Sequence, residues 1–310
     1  MSMTRALCLL AAILFLLCPP CLQISYADHS SCLGPEVLAD KYHTLENKLG
    51  KSSFGIPVYL ESSAGNNASD ADIYGIVSYP FDVVQNELSV PAHWCDIVLP
   101  QINIRACAYE KLNDTWLLTI FSVNRFYQPL RDAYQMKFDF HVIAQQPEYF
   151  DISLDAHEGP FNTKEHRFGF EAIPIDKGKT FVHLSCSYSY SFLGYIAMKS
   201  YLALFGRGKV GFSITGVREG NPVYVSGPRG AIERNLVRYY LAILAYLDTL
   251  KFAPEQRFGN RISRWYDLTG RYKRQLFENG KEEYLTYKKG DQKNQLKLQG
   301  NLDKQDQKIF

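Results

Sequence analysis

The chain has 310 residues, with 34 Lys/Arg against 32 Asp/Glu and a formal net charge of +2. Such a balance lacks the concentrated positive field of a dedicated nucleic-acid binder. The length suffices for a sizeable core, and 21 Tyr and 19 Phe supply bulky side chains for it.

The first 27 residues read as a secretory signal. Arg5 gives a short positive start, Ala6 to Leu17 is an unbroken apolar run, and Ser25-Tyr26-Ala27 places small residues at the −3 and −1 positions before Asp28. The apolar run falls short of the roughly 20 residues a membrane-spanning helix needs. An uncleaved anchor is the alternative. The expected location is therefore outside the cytoplasm, periplasmic or secreted. Cleavage removes Cys8, Cys18 and Cys21 and leaves Cys32, Cys95, Cys107 and Cys186. An oxidising compartment permits disulfides, and Cys95 with Cys107 is the pair nearest in sequence; buried free thiols are the alternative.

Residues 28–55 carry a helix over Glu36 to Leu49, closed by Gly50. Ile56 to Ser63 and Asp72 to Tyr79 read as strands across a turn-rich Gly65 to Ser69. Two short helices follow, Phe81 to Leu88 after Pro80 and Pro91 to Val98 before Pro100. Ile102 to Tyr109 and Trp116 to Val123 are strands. Strict alternation then marks Tyr134 to Val142, Phe150 to Ala156, Phe168 to Ala172 and Val182 to Tyr188, the signature of an antiparallel sheet with one solvated face. Phe192 to Phe205 is helical, and Val210 to Val217 closes the sheet. Pro228 to Phe252 is a long helix; Arg229, Glu233, Arg234 and Arg238 mark the polar side of its first half, and its second half is apolar nearly all round, so it should be buried on more than one side. Residues 254–287 form a helical extension. Lys288 to Phe310, rich in Lys, Gln, Asn and Asp, reads as a disordered basic tail, either merely solvated or in weak contact with anionic lipid headgroups.

This order over Pro57 to Phe252, with Asp72-Ile-Tyr-Gly-Ile-Val-Ser-Tyr-Pro-Phe-Asp-Val-Val-Gln-Asn-Glu-Leu88 and Pro91-Ala-His-Trp-Cys-Asp96, resembles the START-like (SRPBCC, helix-grip) superfamily, in an exported bacterial-type member. Trp94 falls where members often carry a Trp in the second small helix. The resemblance implies an α+β fold over residues 56–253, a curved antiparallel sheet covered by a long C-terminal helix. It also implies an apolar ligand between them, such as a sterol, phospholipid or polyketide; a few members catalyse cyclisation or dehydration there.

Tyr134, Phe138, Phe140, Phe168, Phe170, Tyr188 and Phe212 are expected on the face beneath the helix, with Tyr239 and Tyr246 looking back at them. A solid core is the bland alternative. His157, His166 and His183 fall in polar positions and read as solvent-facing, as do Asp151, Asp155 and Glu171. Gly211-Phe-Ser-Ile-Thr-Gly216 lacks the GxSxG spacing, and neither HExxH nor a P-loop occurs. No metal, cofactor or catalytic residue is assigned. The expectation is an exported carrier for a hydrophobic ligand, a lipid first of all. A cyclase- or aromatase-like enzyme and a solid-cored interaction module are its rivals.

Overall fold

Prolines, apolar alternation and one long apolar helix set the architecture of the structure, a computed structural model describing residues 33–65, 67–205 and 208–306. The signal expected at Met1–Ala27 and Cys32 lie outside the described residues. Helix α1 (Pro35–Gly50) comes first, then strands β1 (Val58–Ala64) and β2 (Ala68–Val77). The short helices α2 (Phe81–Leu88) and α3 (Pro91–Val98) notch the chain, the second opened by a proline at its first turn. Strands β3 (Ile104–Leu112), β4 (Thr115–Ser122), β5 (Tyr134–Gln145), β6 (Phe150–Gly159), β7 (Thr163–Asp176) and β8 (Lys179–Tyr190) follow. All eight strands form one antiparallel sheet in the order β1-β2-β8-β7-β6-β5-β4-β3.

After helix α4 (Phe192–Phe205), strands β9 (Ile214–Arg218) and β10 (Asn221–Tyr224) pair only with each other. The stretch expected to close the large sheet is therefore a separate hairpin, and β2 lies beside β8 instead. Helix α5 (Gly227–Asp248) lies across the sheet and buries Ile232, Leu236, Tyr240 and Ile243. Gly75 on β2 admits it closely: a Cβ there would sit 2.5 Å from the Tyr240 hydroxyl. Helix α6 (Pro254–Thr269) covers α5 from behind with Ile262, Trp265 and Leu268, and the Trp265 indole donates to the Arg238 carbonyl at 3.2 Å. The all-round apolarity of α5 thus has its cause: sheet on one side, helix on the other. This is an α+β fold, a curved antiparallel sheet gripping a long helix toward its C-terminus.

Three expectations need correction. Lys288 to Phe310 is not a disordered tail: after a short turn of helix α7 (Lys273–Leu276), helix α8 runs Lys281–Asp306, and residues 307–310 lie outside the described residues. It packs along the edge strand β3, with Lys288 fully buried. Nor are Glu171, Asp151 and His183 solvated, being 0%, 1% and 2% exposed. Helix α1 lies on that face, packing Leu38, Leu45 and Leu49 against Tyr74, Tyr149, Ile173 and Phe181. Finally, Glu233 and Arg234, expected on a polar surface, are buried. Glu233 Oε2 accepts the backbone N–H groups of Phe212 and Ser213 at 2.6 and 2.9 Å, which draws that loop over the helix.

No helix among the described residues is long and apolar enough to cross a membrane. A disulfide joins Cys95 on α3 to Cys107 on β3 and fixes the notch helix to the sheet edge.

Candidate functional site

Between the gripping face of the sheet and α5 lies a cavity of about 180 Å³. Alternate residues of six adjacent strands, β3 to β8, face it: Ile104, Ile120, Phe138, Leu154, Phe168 and Tyr188 among them. Trp94 and Val98 of α3 close one side, and Ile232, Asn235 and Tyr239 of α5 form the roof. Period-two projection delivers one row of side chains to the same space, so the wall is a direct product of alternation. Asn103, Arg167 and Asn235 are exposed and mark the rim.

The aromatic walls interlock edge to face, as ring quadrupoles favour. Phe168 meets Tyr239 at 5.5 Å and Trp94 at 5.7 Å between ring centroids, with interplanar angles of 67° and 78°. Trp94 is itself held by donating from its indole to the Leu88 carbonyl at 2.8 Å. His166 stacks on Tyr188 at 5.2 Å and shares a 2.8 Å hydrogen bond with Thr163 through Nε2. A bulge between Lys164 and Arg167 in the β7–β8 pairing, with Glu165 at φ 50°, sets that histidine at the cavity end of the strand.

Of the nine aromatics expected there, Phe138, Phe168, Tyr188 and Tyr239 line the cavity. Phe140 and Phe170 are close-packed core. Tyr246 is buried away from it, donating to Glu87 at 2.7 Å beneath the Arg261 guanidinium. Tyr134 is 40% exposed at the start of β5. Phe212 stacks on Phe54 at 5.1 Å and borders a separate open depression, where Glu233 holds its loop. Sequence reasoning passed over Cys186, Met136 and Ile120, and it read His166 as solvent-facing, whereas the ring is half-buried in the cavity wall. Their parity would have found them: each is an even number of residues from an aromatic or aliphatic already on the inward face.

The lining is electrically quiet at neutral pH. Burial lowers the His166 pKa to about 4, despite Glu165 nearby, and so holds the ring neutral. Burial raises the Cys186 thiol to about 12 and pushes the Tyr188 and Tyr239 phenols well above their ordinary range. Arg167 contributes a charge only at the exposed rim. Among the described residues no group of three or more His, Cys, Asp or Glu is placed to hold a metal ion. The Gly-x-Gly-x-x-Gly spacing at 206–211 follows a helix and precedes a hairpin, the reverse of the strand-to-helix setting that a dinucleotide fingerprint requires.

No family model matches the chain, and no curated protein matches it. Solved structures similar to parts of it include an aromatase/cyclase from Streptomyces sp. R1128, at 12% identity and TM-score 0.32, over 40% of this chain and 70% of that one. Norcoclaurine synthase from Thalictrum flavum matches at 13% identity and TM-score 0.31, over 40% of this chain and 72% of that one. A conserved protein of unknown function from Enterococcus faecalis matches at 11% and 0.35, over 72% of this chain and 95% of that one. Likeness of this degree says nothing of what this chain binds; the cavity has to be read from its own walls.

Proposed function

We propose that the protein binds a small uncharged hydrophobic molecule, or the apolar end of a larger one, in the cavity between sheet and α5. The observation that carries this reading is a void walled by aromatic and aliphatic side chains, in which His166, Cys186, Tyr188 and Tyr239 are held neutral and the one charge, Arg167, stands at the rim. Size narrows the ligand. Drug-sized pockets run to about 300 Å³ and more, whereas an apolar void of about 150 Å³ holds benzene. At about 180 Å³ the cavity suits one ring or one short aliphatic segment. A lipid fits this reading as a single acyl terminus inside, with its polar end at the Asn103, Arg167 and Asn235 rim. With the export signal of the sequence, the protein is then a carrier of membrane-derived molecules outside the cytoplasm, in the manner that the START-like resemblance implies.

The enzymatic reading has its best support in His166, Tyr188 and Tyr239, which stand in the wall. General acid–base catalysis favours a pKa near the working pH. These groups are displaced from neutrality in the direction that keeps them neutral and inert, which favours binding over turnover.

Native mass spectrometry of protein taken from its own host should reveal a retained hydrophobic molecule. The stripped protein should then show saturable quenching or enhancement of Trp94 fluorescence with a panel of single-ring aromatics, fatty acids and phospholipids. Absence of both a retained molecule and saturable binding overturns the proposal.

A further inference from the structure

His166 lines the cavity with one ring nitrogen engaged and the other open. Its Nε2 lies 2.8 Å from the Thr163 hydroxyl, and that hydroxyl lies 2.7 Å from the Pro160 carbonyl oxygen. The carbonyl has no proton to give, so the hydrogen joining the two oxygens is the hydroxyl's own. A hydroxyl carries a single hydrogen, and Thr163 therefore has none left for the imidazole. The bond to His166 runs the other way, from Nε2–H to the Thr163 oxygen. Burial lowers the ring's pKa to about 4, against the pull of Glu165, so the ring is neutral. In a neutral ring this bond fixes the tautomer: Nε2 holds the proton and Nδ1 keeps its lone pair.

The surroundings hold the ring in this pose. Phe161 and Glu165 take left-handed φ angles of 60° and 50°, costly for residues with a Cβ, and the chain between them brings the Thr163 hydroxyl to Pro160. Tyr188 stacks on the ring, with 5.2 Å between centroids and 23° between planes. Gly159 makes room for the Nε2 edge: a Cβ there would fall 2.1 Å from Nε2 and 2.8 Å from Cε1. Nδ1 has no hydrogen-bond partner among the described residues. Nor is it sealed in by protein, as the unpaired nitrogens of Gln101, Arg234, Arg238 and Arg261 are. It opens on the space that the ring lines.

A lone-pair acceptor in an aromatic wall selects by chemistry. An uncharged O–H can donate to it. A carboxylate offers no proton and meets the lone pair with negative charge of its own. A hydrocarbon fills the space but displaces water and leaves Nδ1 unpaired, the kind of loss by which a site rejects a ligand lacking its polar group. The edge-to-face rings of Trp94, Phe168 and Tyr239 offer a bound ring contacts like those they make with each other. At about 180 Å³ the void exceeds the roughly 150 Å³ that holds benzene by a margin that takes one more heavy atom. We propose that the cavity ligand is an uncharged ring bearing a hydroxyl group, a phenol in type, which donates to His166 Nδ1. This rests on the cavity being a binding site and names what that site selects.

The stripped protein is titrated by calorimetry at neutral pH with phenol, toluene and benzoate. Phenol should bind at least about tenfold more tightly than toluene, and benzoate more weakly than either. Water solvates phenol better than toluene, so a merely apolar void would give the opposite order. His166→Phe, which keeps a ring but no acceptor, should invert the order in favour of toluene. Nitrogen NMR of His166 in the parent chain needs no variant. It should show a protonated Nε2 and a bare Nδ1, and the Nδ1 resonance should move with phenol and not with toluene. Toluene binding as tightly as phenol, a protonated Nδ1, or a preference for phenol that survives in His166→Phe overturns the inference while leaving the binding site standing. Failure of both phenol and toluene to bind overturns it together with the single-ring reading of the cavity.

Discussion

His183 sits between two carboxylates with hardly any water. Its Nδ1 lies 2.8 Å from Glu171 and its Nε2 2.8 Å from Asp72, while Tyr74 stacks on the ring at 4.6 Å. Glu171 also accepts the N–H groups of Leu33 and Gly34 and the Tyr149 hydroxyl, so the entry to α1 is tied to this cluster. Burial opposes charge on the imidazole, but the hydrogen bonds and charges of Asp72 and Glu171 outweigh it and raise the pKa above 6.5. Burial likewise opposes charge on Glu171, and His183, the backbone donors and Tyr149 outweigh it and lower the pKa below 4.5. A raised histidine stabilises fully below its unfolded pKa and loses that contribution as pH rises through the folded one. A lowered carboxylate stabilises above its unfolded pKa and loses it as pH falls through the folded one. Both contributions are therefore complete between pH 4.5 and 6.5. His183→Gln should lower stability there by about 2–3 kcal/mol, because Glu171 is wholly buried while Asp72 is partly solvated. It should also flatten the alkaline limb of the profile. Urea unfolding of both proteins across pH measures this, and superimposable profiles would refute the cluster's role.

At the scale of elements, α8 is the feature that water-avoidance alone does not explain. It guards the outer edge of β3 with polar side chains. Lys288 donates to the Ile104 carbonyl at 2.5 Å, Gln295 accepts the Cys107 N–H at 2.9 Å, and Gln299 both accepts the Tyr109 N–H at 3.0 Å and donates to its carbonyl at 2.9 Å. The two elements share a metre: seven helical residues rise about 10 Å, as do three strand residues, and four helical residues match two. Edge strands left bare recruit other chains, and here one helix supplies the missing partners. Gln295→Ala with Gln299→Ala should speed hydrogen exchange at the Cys107 and Tyr109 amides while β4, paired on the inner side, stays protected. Unchanged exchange would mean the helix protects by burial alone. This also shows where sequence reading succeeds and stops. Elements with an apolar period, α3 and β5 through β8 and α5, were legible because burial writes the period into the residue types. Helix α8 was not, since its seam is Lys, Asp and Gln satisfying a backbone, and no hydrophobic alternation records that. Helix α1 was legible as a helix, but its seat on the sheet's second face was not, because it depends on which distant strands lie beside Glu171. In the cavity, alternation identified Phe138, Phe168 and Tyr188. It could not separate them from Phe140 and Phe170, which share their parity and differ only in what α3 and α5 pack against them.

Over the whole molecule, helices cover both faces and the β3 edge of the sheet, and the space left open beneath α5 is a choice against stability. A void costs about 24 cal/mol per Å³ where the walls cannot collapse, so about 180 Å³ forgoes up to roughly 4 kcal/mol. Its walls are held apart by structure with other anchors: Trp94 by the Leu88 carbonyl, α3 by the Cys95–Cys107 bridge, and α5 by α6 behind it. Filling the space should thus relieve the loss without rebuilding the fold. Cys186 is the position of choice, since its thiol faces the cavity between Phe168 and Tyr188 and takes no part in the disulfide. Cys186→Phe should add about 1 kcal/mol and raise the melting temperature by a few degrees, while cutting hydrophobic-ligand affinity at least about tenfold. Those two changes in opposite directions mark a space reserved for a ligand. A fall in stability would show that the site is already filled by its own side chains, for an added ring in a packed core costs about 1–3 kcal/mol. A gain in stability with affinity unchanged would move the binding site elsewhere.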